Sequence, residues 1–101
     1  MRLVVMFDLP VTTTADKRNY RKFRKFLIKS GYMMLQESIY CKIAQNSQAA
    51  DWMVENIKKN RPPEGSVQVL RVTEKQFSKM DFIVGERRTD VIDSDERLIF
   101  L

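Results

Sequence analysis

Hydrophobic and polar positions along the chain fall into short extended runs separated by longer amphipathic stretches. Leu3–Phe7 is an unbroken apolar run closed by Pro10, and it predicts a central β-strand with two apolar faces. Leu3, Val5 and Phe7 share one face, Val4 and Met6 the other, and strand alternation puts Asp8 on the Val4/Met6 side. A carboxylate at the end of a buried face is costly unless it meets a partner. From Thr13 to Ser30 the period changes to that of a helix, with Thr13 and Asp16 spaced as a capping box and Gly31 as the stop. Tyr20, Phe23, Phe26 and Leu27 form its apolar stripe. Arg18, Arg21, Lys22, Lys25 and Lys29 lie opposite, with Lys17 and Arg24 flanking and Ile28 breaking the polar side.

Tyr32–Ala44 is extended again. Met33, Leu35, Ile39, Cys41 and Ile43 share one parity, interrupted by Glu37, so Glu37-Ser38 marks a bend, a bulge or a tight reversal. Ser47 is placed as the N-cap of a second helix reaching about Asn60, with Ala50, Met53, Val54 and Ile57 buried and Trp52 packing beside them. Arg61-Pro62-Pro63 ends that helix. Ser66–Thr73 predicts a strand with Val67, Val69 and Arg71 on one face and Gln68, Leu70 and Val72 on the other. Thr73–Lys79 reads as a helical turn capped by Thr73 with Phe77 inward, and Met80–Gly85 as one more strand. Glu86–Arg97 is rich in charge, and Leu98–Leu101 is an apolar end suited to completing a sheet edge.

This rhythm predicts an α+β fold, a split βαβ sandwich with both helices on one sheet face, because right-handed crossovers put them there. The Val4/Met6 face is then uncovered. Two such faces packed across a twofold axis would bring two Asp8 carboxylates together, where a shared proton or a bound cation relieves their repulsion.

Composition narrows the chemistry. A chain of 101 residues with net charge +5 fits one domain and favours a polyanionic partner, nucleic acid before lipid. The first helix holds seven of the eighteen Lys and Arg residues against one acid, Asp16. A charged helix is by default a solvated face, but like charges without i,i+4 acidic partners repel, which favours a phosphate-tracking ridge. With no histidine and one cysteine, Cys41, the chain excludes His-based nucleophile systems, His- or thiolate-ligated zinc and an internal disulfide. A lone buried cysteine suits a cytoplasmic location, and no apolar run is long enough to predict a membrane span. Phosphate chemistry would therefore fall to carboxylates holding a hard cation.

Five segments together resemble a known family: Leu-Val-Val-Met-Phe-Asp-Leu-Pro at 3–10, Tyr-Arg-Lys-Phe-Arg-Lys-Phe-Leu at 20–27, Gln-Glu-Ser-Ile-Tyr at 36–40, Val-Thr-Glu-Lys-Gln-Phe at 72–77 and Gly-Glu-Arg-Arg at 85–88. Their order and spacing resemble the small CRISPR-associated spacer-acquisition proteins (the Cas-two family) of type II systems. The resemblance implies a ferredoxin-like βαββαβ domain over 1–85, a C-terminal extension over 86–101 whose last strand swaps in a homodimer, and a reversal at Glu37-Ser38. It implies a role in CRISPR adaptation, with the dimer bridging two dimers of the CRISPR-associated integrase and holding pre-spacer duplex DNA. Lys17, Arg18, Arg21, Lys22 and Lys25 are the expected phosphate contacts. It also implies a Mg²⁺-dependent endonuclease acting on RNA or duplex DNA, with Asp8 from both subunits as metal ligand and catalytic residue. Two-metal phosphodiester cleavage uses several carboxylates, and Asp8 alone stands clearly at a strand end, so the scaffold role is favoured over catalysis. A turn-forming Asp before Leu-Pro, in a plain dimeric domain with a solvated basic helix, is the third reading.

Overall fold

A computed structural model describes residues 1–86. The elements are β1 (Arg2–Asp8), α1 (Thr14–Lys29), β2 (Met33–Gln36), β3 (Ile39–Ile43), α2 (Ser47–Lys59), β4 (Ser66–Val72) and α3 (Glu74–Ser78). The strands form one antiparallel sheet in the order β2-β3-β1-β4. Each helical crossover therefore skips one strand, and the two interleave as in a ferredoxin-like domain.

The apolar run at the chain's start becomes an inner strand, beside β3, because it has two apolar faces to cover. On the helix side, Leu3, Val5, Phe7 and Leu9 join Phe23, Leu27, Tyr40, Ala50, Met53 and Ile57 in the main core. Phe7 is the hub of an aromatic cluster, 5.2 Å from Phe23 edge-on and 5.8 Å from both Tyr20 and Tyr40. Such ring pairs contribute about 0.5–1.5 kcal/mol each beyond the area they bury.

Local signals hold at most boundaries. The Thr13–Asp16 capping box forms in both directions, and Thr73 with Gln76 repeats it at α3. The cap of α2 is Asn46, one residue before the expected Ser47, and its side chain accepts from the Ala49 amide. Glu37-Ser38 is a tight reversal: Ser38 has φ 65°, a backbone region L-residues visit rarely, and the β2–β3 register slips between Met34 and Gln36.

Three expectations are corrected. The face opposite the helices is partly covered, because α3 folds across it and Phe77 closes a small second core with Val4 and Cys41. Met80–Gly85 forms no strand. The sheet gives it no ladder partner, and Ile83 and Val84 are about nine-tenths exposed. Trp52 does not pack beside the α2 stripe but stands two-thirds exposed. The connector beyond residue 86 and the terminal Leu98–Leu101 strand lie outside the described residues.

Candidate nucleic-acid interface and carboxylate cavity

The structure separates the two groups of residues that the sequence marks for function. Lys17, Arg18, Arg21, Lys22 and Lys25 all project from the exposed side of α1. The helix forms despite this charge because Phe23 and Leu27 are buried against the sheet and the capping box secures its first turn. Its one acid, Asp16, accepts from the Thr13 amide within that box. Ion pairs among the described residues engage Arg2, Lys58 and Arg71, and none engages a cation of α1. The ridge is thus a row of uncompensated charge, the arrangement that binds phosphates by releasing their counterions.

Asp8 is on the other side of the sheet. It ends β1, pairs in register with Ser66 of β4, and is exposed. The expected desolvation cost therefore does not arise, and Asp8 needs no buried partner to be tolerated. It lines a cavity of about 260 Å³ together with Met6, Glu37, Ser38, Ser66 and Gln68. Among the described residues, no Lys or Arg lines that cavity.

Two features hold this corner in shape. The Phe7 amide donates to the Ser38 carbonyl at 3.1 Å, tying the strand beside Asp8 to the reversal. Tyr20 reaches from α1 to the same reversal, its hydroxyl donating to Glu37 at 3.2 Å and lying 3.4 Å from the Ser38 hydroxyl. On the other flank Gly65 has φ +97°, and a Cβ there would lie 2.7 Å from the Asp8 carbonyl oxygen. Only glycine allows the chain to enter β4 so close to Asp8.

Of the three acids that sequence reasoning leaves unplaced, Glu37, Asp81 and Glu86, Glu37 is the one that lines this cavity. Its signal was the break in apolar parity between Leu35 and Ile39. The two carboxylates and two hydroxyls of the cavity are oxygen donors, which suit a hard cation that keeps part of its water shell on one or two carboxylates. Among the described residues, no group of three or more acidic, Cys or His side chains is placed to enclose a metal ion.

An interleaved four-stranded sheet, a basic first helix and a carboxylate at the end of the first strand define a small ferredoxin-like α+β protein. The family model described as "CRISPR associated protein Cas2" matches residues 1–80, and the chain belongs to that family. It is 52% identical over 101 residues to the CRISPR-associated endoribonuclease Cas2 of Treponema denticola, covering all of both chains. It is 46% identical to the Streptococcus mutans protein of the same name, covering 100% of this chain and 93% of that one. The crystal structure of Streptococcus pyogenes Cas2 at pH 6.5 shares the fold, with a TM-score of 0.62 at 14% identity over 83% of this chain and 100% of that one.

Proposed function

We propose that this protein is the DNA-holding subunit of CRISPR adaptation. As a homodimer it would bridge two dimers of the CRISPR-associated integrase and carry pre-spacer duplex DNA on α1. The observation that supports this most is the uncompensated charge of that helix: seven cations, with the only acid committed to the N-cap. Phosphate contacts of this kind hold a duplex without reading its sequence. The dimer would form through the helix-poor face. Register pairs Val4 with both Cys41 and Leu70, and Met33 with Cys41, so all four share that face, and Met33, Ile43 and Leu70 stay about half exposed on it. A face of this kind is what a second copy would cover.

A second reading, a metal-dependent endonuclease, is favoured by the Asp8–Glu37 cavity and by the endoribonuclease named for the relatives. Asp8 and Glu37 would hold Mg²⁺, and a bound cation supplies Lewis-acid polarisation of a phosphoryl oxygen. Asp8 would fix the position of the ion at the strand end, while Tyr20 would orient Glu37. Within one chain, however, Asp8 lies on the sheet face away from α1, so a duplex tracked by the ridge is not laid over the carboxylates.

One experiment separates the readings: duplex DNA binding by anisotropy across a salt series, with Mg²⁺-dependent cleavage of duplex DNA and RNA measured in parallel. Arg18→Glu/Arg21→Glu should weaken duplex binding at least tenfold, for every sequence alike, and reduce the salt slope by about two. Asp8→Asn should leave binding and spacer integration intact. Unchanged affinity in the double variant removes the ridge, and loss of integration in Asp8→Asn with binding intact turns the assignment toward catalysis.

A further inference from the structure

A second basic feature shares Lys22 with the ridge of α1 and otherwise lies apart from it and from the carboxylate cavity. Where α1 passes the end of α2, a groove of about 180 Å³ is lined by Asn19, Lys22, Phe26, Lys59, Asn60 and Arg61, with Phe23, Pro62 and Pro63 adding apolar wall. Among the described residues, three cations border it and no carboxylate does. None of the three is in an ion pair among the described residues, whereas neighbouring Lys58 is paired with Glu55 at 3.0 Å. Lysines in the last turn of α2 offset the helix dipole, which gives Lys59 an ordinary reason to be there. Lys22 has no such reason, since it belongs to the middle of α1.

We propose that this groove is a docking site for an acidic segment of a protein partner, carboxylates on Lys22, Lys59 and Arg61 with an apolar side chain seated on Phe26 and the two prolines. Charge complementarity calls for an anion, and the wall chemistry decides which kind. The Asn60 amide nitrogen is already donated to the Asn56 carbonyl at 2.9 Å, so the side chain has an acceptor left to offer. A peptide N–H satisfies an acceptor, whereas a phosphodiester backbone brings only acceptors of its own. The apolar wall likewise matches a hydrophobic side chain, which the outer surface of a duplex lacks. Arg61 is held at the α2 terminus by donating to the Lys58 carbonyl at 3.0 Å, and the Pro62-Pro63 pair stiffens the wall behind it. Part of the side-chain entropy that docking would cost is thus already lost.

The test is nuclear magnetic resonance titration of the full chain with the peptide Glu-Glu-Leu-Glu-Glu, its basic counterpart Lys-Lys-Leu-Lys-Lys, and oligothymidylate. The acidic peptide should shift the Asn19 and Asn60 side-chain amides and the Arg61 backbone amide saturably, and the basic peptide should not. Lys59→Glu/Arg61→Glu should weaken that binding at least tenfold. If that pair fails to fold, Lys22→Gln/Lys59→Gln keeps the Arg61 contact and should weaken it at least threefold. Arg18→Glu/Arg21→Glu, which tests the duplex ridge, should leave the peptide shifts in place, so either idea can fail alone. Absence of saturable shifts at these groups, equal shifts from both peptides, or tighter filling of the groove by oligothymidylate overturns the proposal.

Discussion

The two faces of the sheet are built to different standards. On the helix side, Leu3, Val5, Phe23 and Leu27 have essentially no exposed surface, and three aromatic rings pack around Phe7. On the other side a five-residue helix supplies one buried ring, Phe77, while Met33, Ile43 and Leu70 remain about half in water. The two inner strands, β1 and β3, serve both. The lesson is a division of labour: the covered face supplies most of the stability of the domain, which frees the other face to carry the exposed Asp8 carboxylate and apolar side chains left half in water. The ion pair between Arg2 and Glu74, at 2.7 Å, and the stacking of Arg2 over Phe77 at 4.1 Å are the ties that hold α3 to that second face.

The contrast can be broken most forcefully from the covered side. Phe23→Ala should cost about 3–5 kcal/mol. That is a large part of the stability of a domain this size, and the melting temperature should fall by roughly 15–30 °C. A fall of only a few degrees would mean that the two faces share the burden equally. Leu70→Asp, on the open face, should leave the melting temperature of the monomer nearly unchanged and instead halve the mass seen by light scattering. Retention of the dimer in this variant would place the association surface elsewhere.

The smallest effect concerns α3. The hydrogen bond from Arg2 holds the Glu74 carboxyl below the usual carboxylate range. A carboxylate whose folded value is depressed adds stability above its unfolded value, near 4.3, and that increment disappears as pH falls through the folded value. Glu74→Gln should therefore cost about 0.5 kcal/mol at pH 7. The gap from the parent protein should close in acid, read by thermal melts from pH 7 to pH 3. A gap that persists at low pH would show that packing, not charge, ties α3 down.

Much of this was legible from local pattern. The two helices, their apolar stripes, the Thr13 and Thr73 caps and the two-sided character of β1 all depend on residues within a few positions of one another. The basic ridge on α1 needed only helical spacing to be read. Asp8 at the end of β1 was equally plain, though its exposure was not, because exposure depends on what the chain lays over it.

What local pattern could not decide was set by contacts between segments far apart in the chain. Glu37-Ser38 admitted a bend or a reversal until β3 was seen pairing with β1, which stabilises Ser38 in a conformation it would otherwise avoid. Met80–Gly85 has the composition of a strand but pairs with none of the four strands of the sheet. The pattern of the chain alone thus determined the two long helices, the first strand and where the charge lies, since propensity and periodicity are local. Tertiary structure alone decided that Glu37 shares a cavity with Asp8 and that Lys22 shares a groove with Lys59 and Arg61, because such neighbours are made by strand order and helix packing, which no short window of sequence contains.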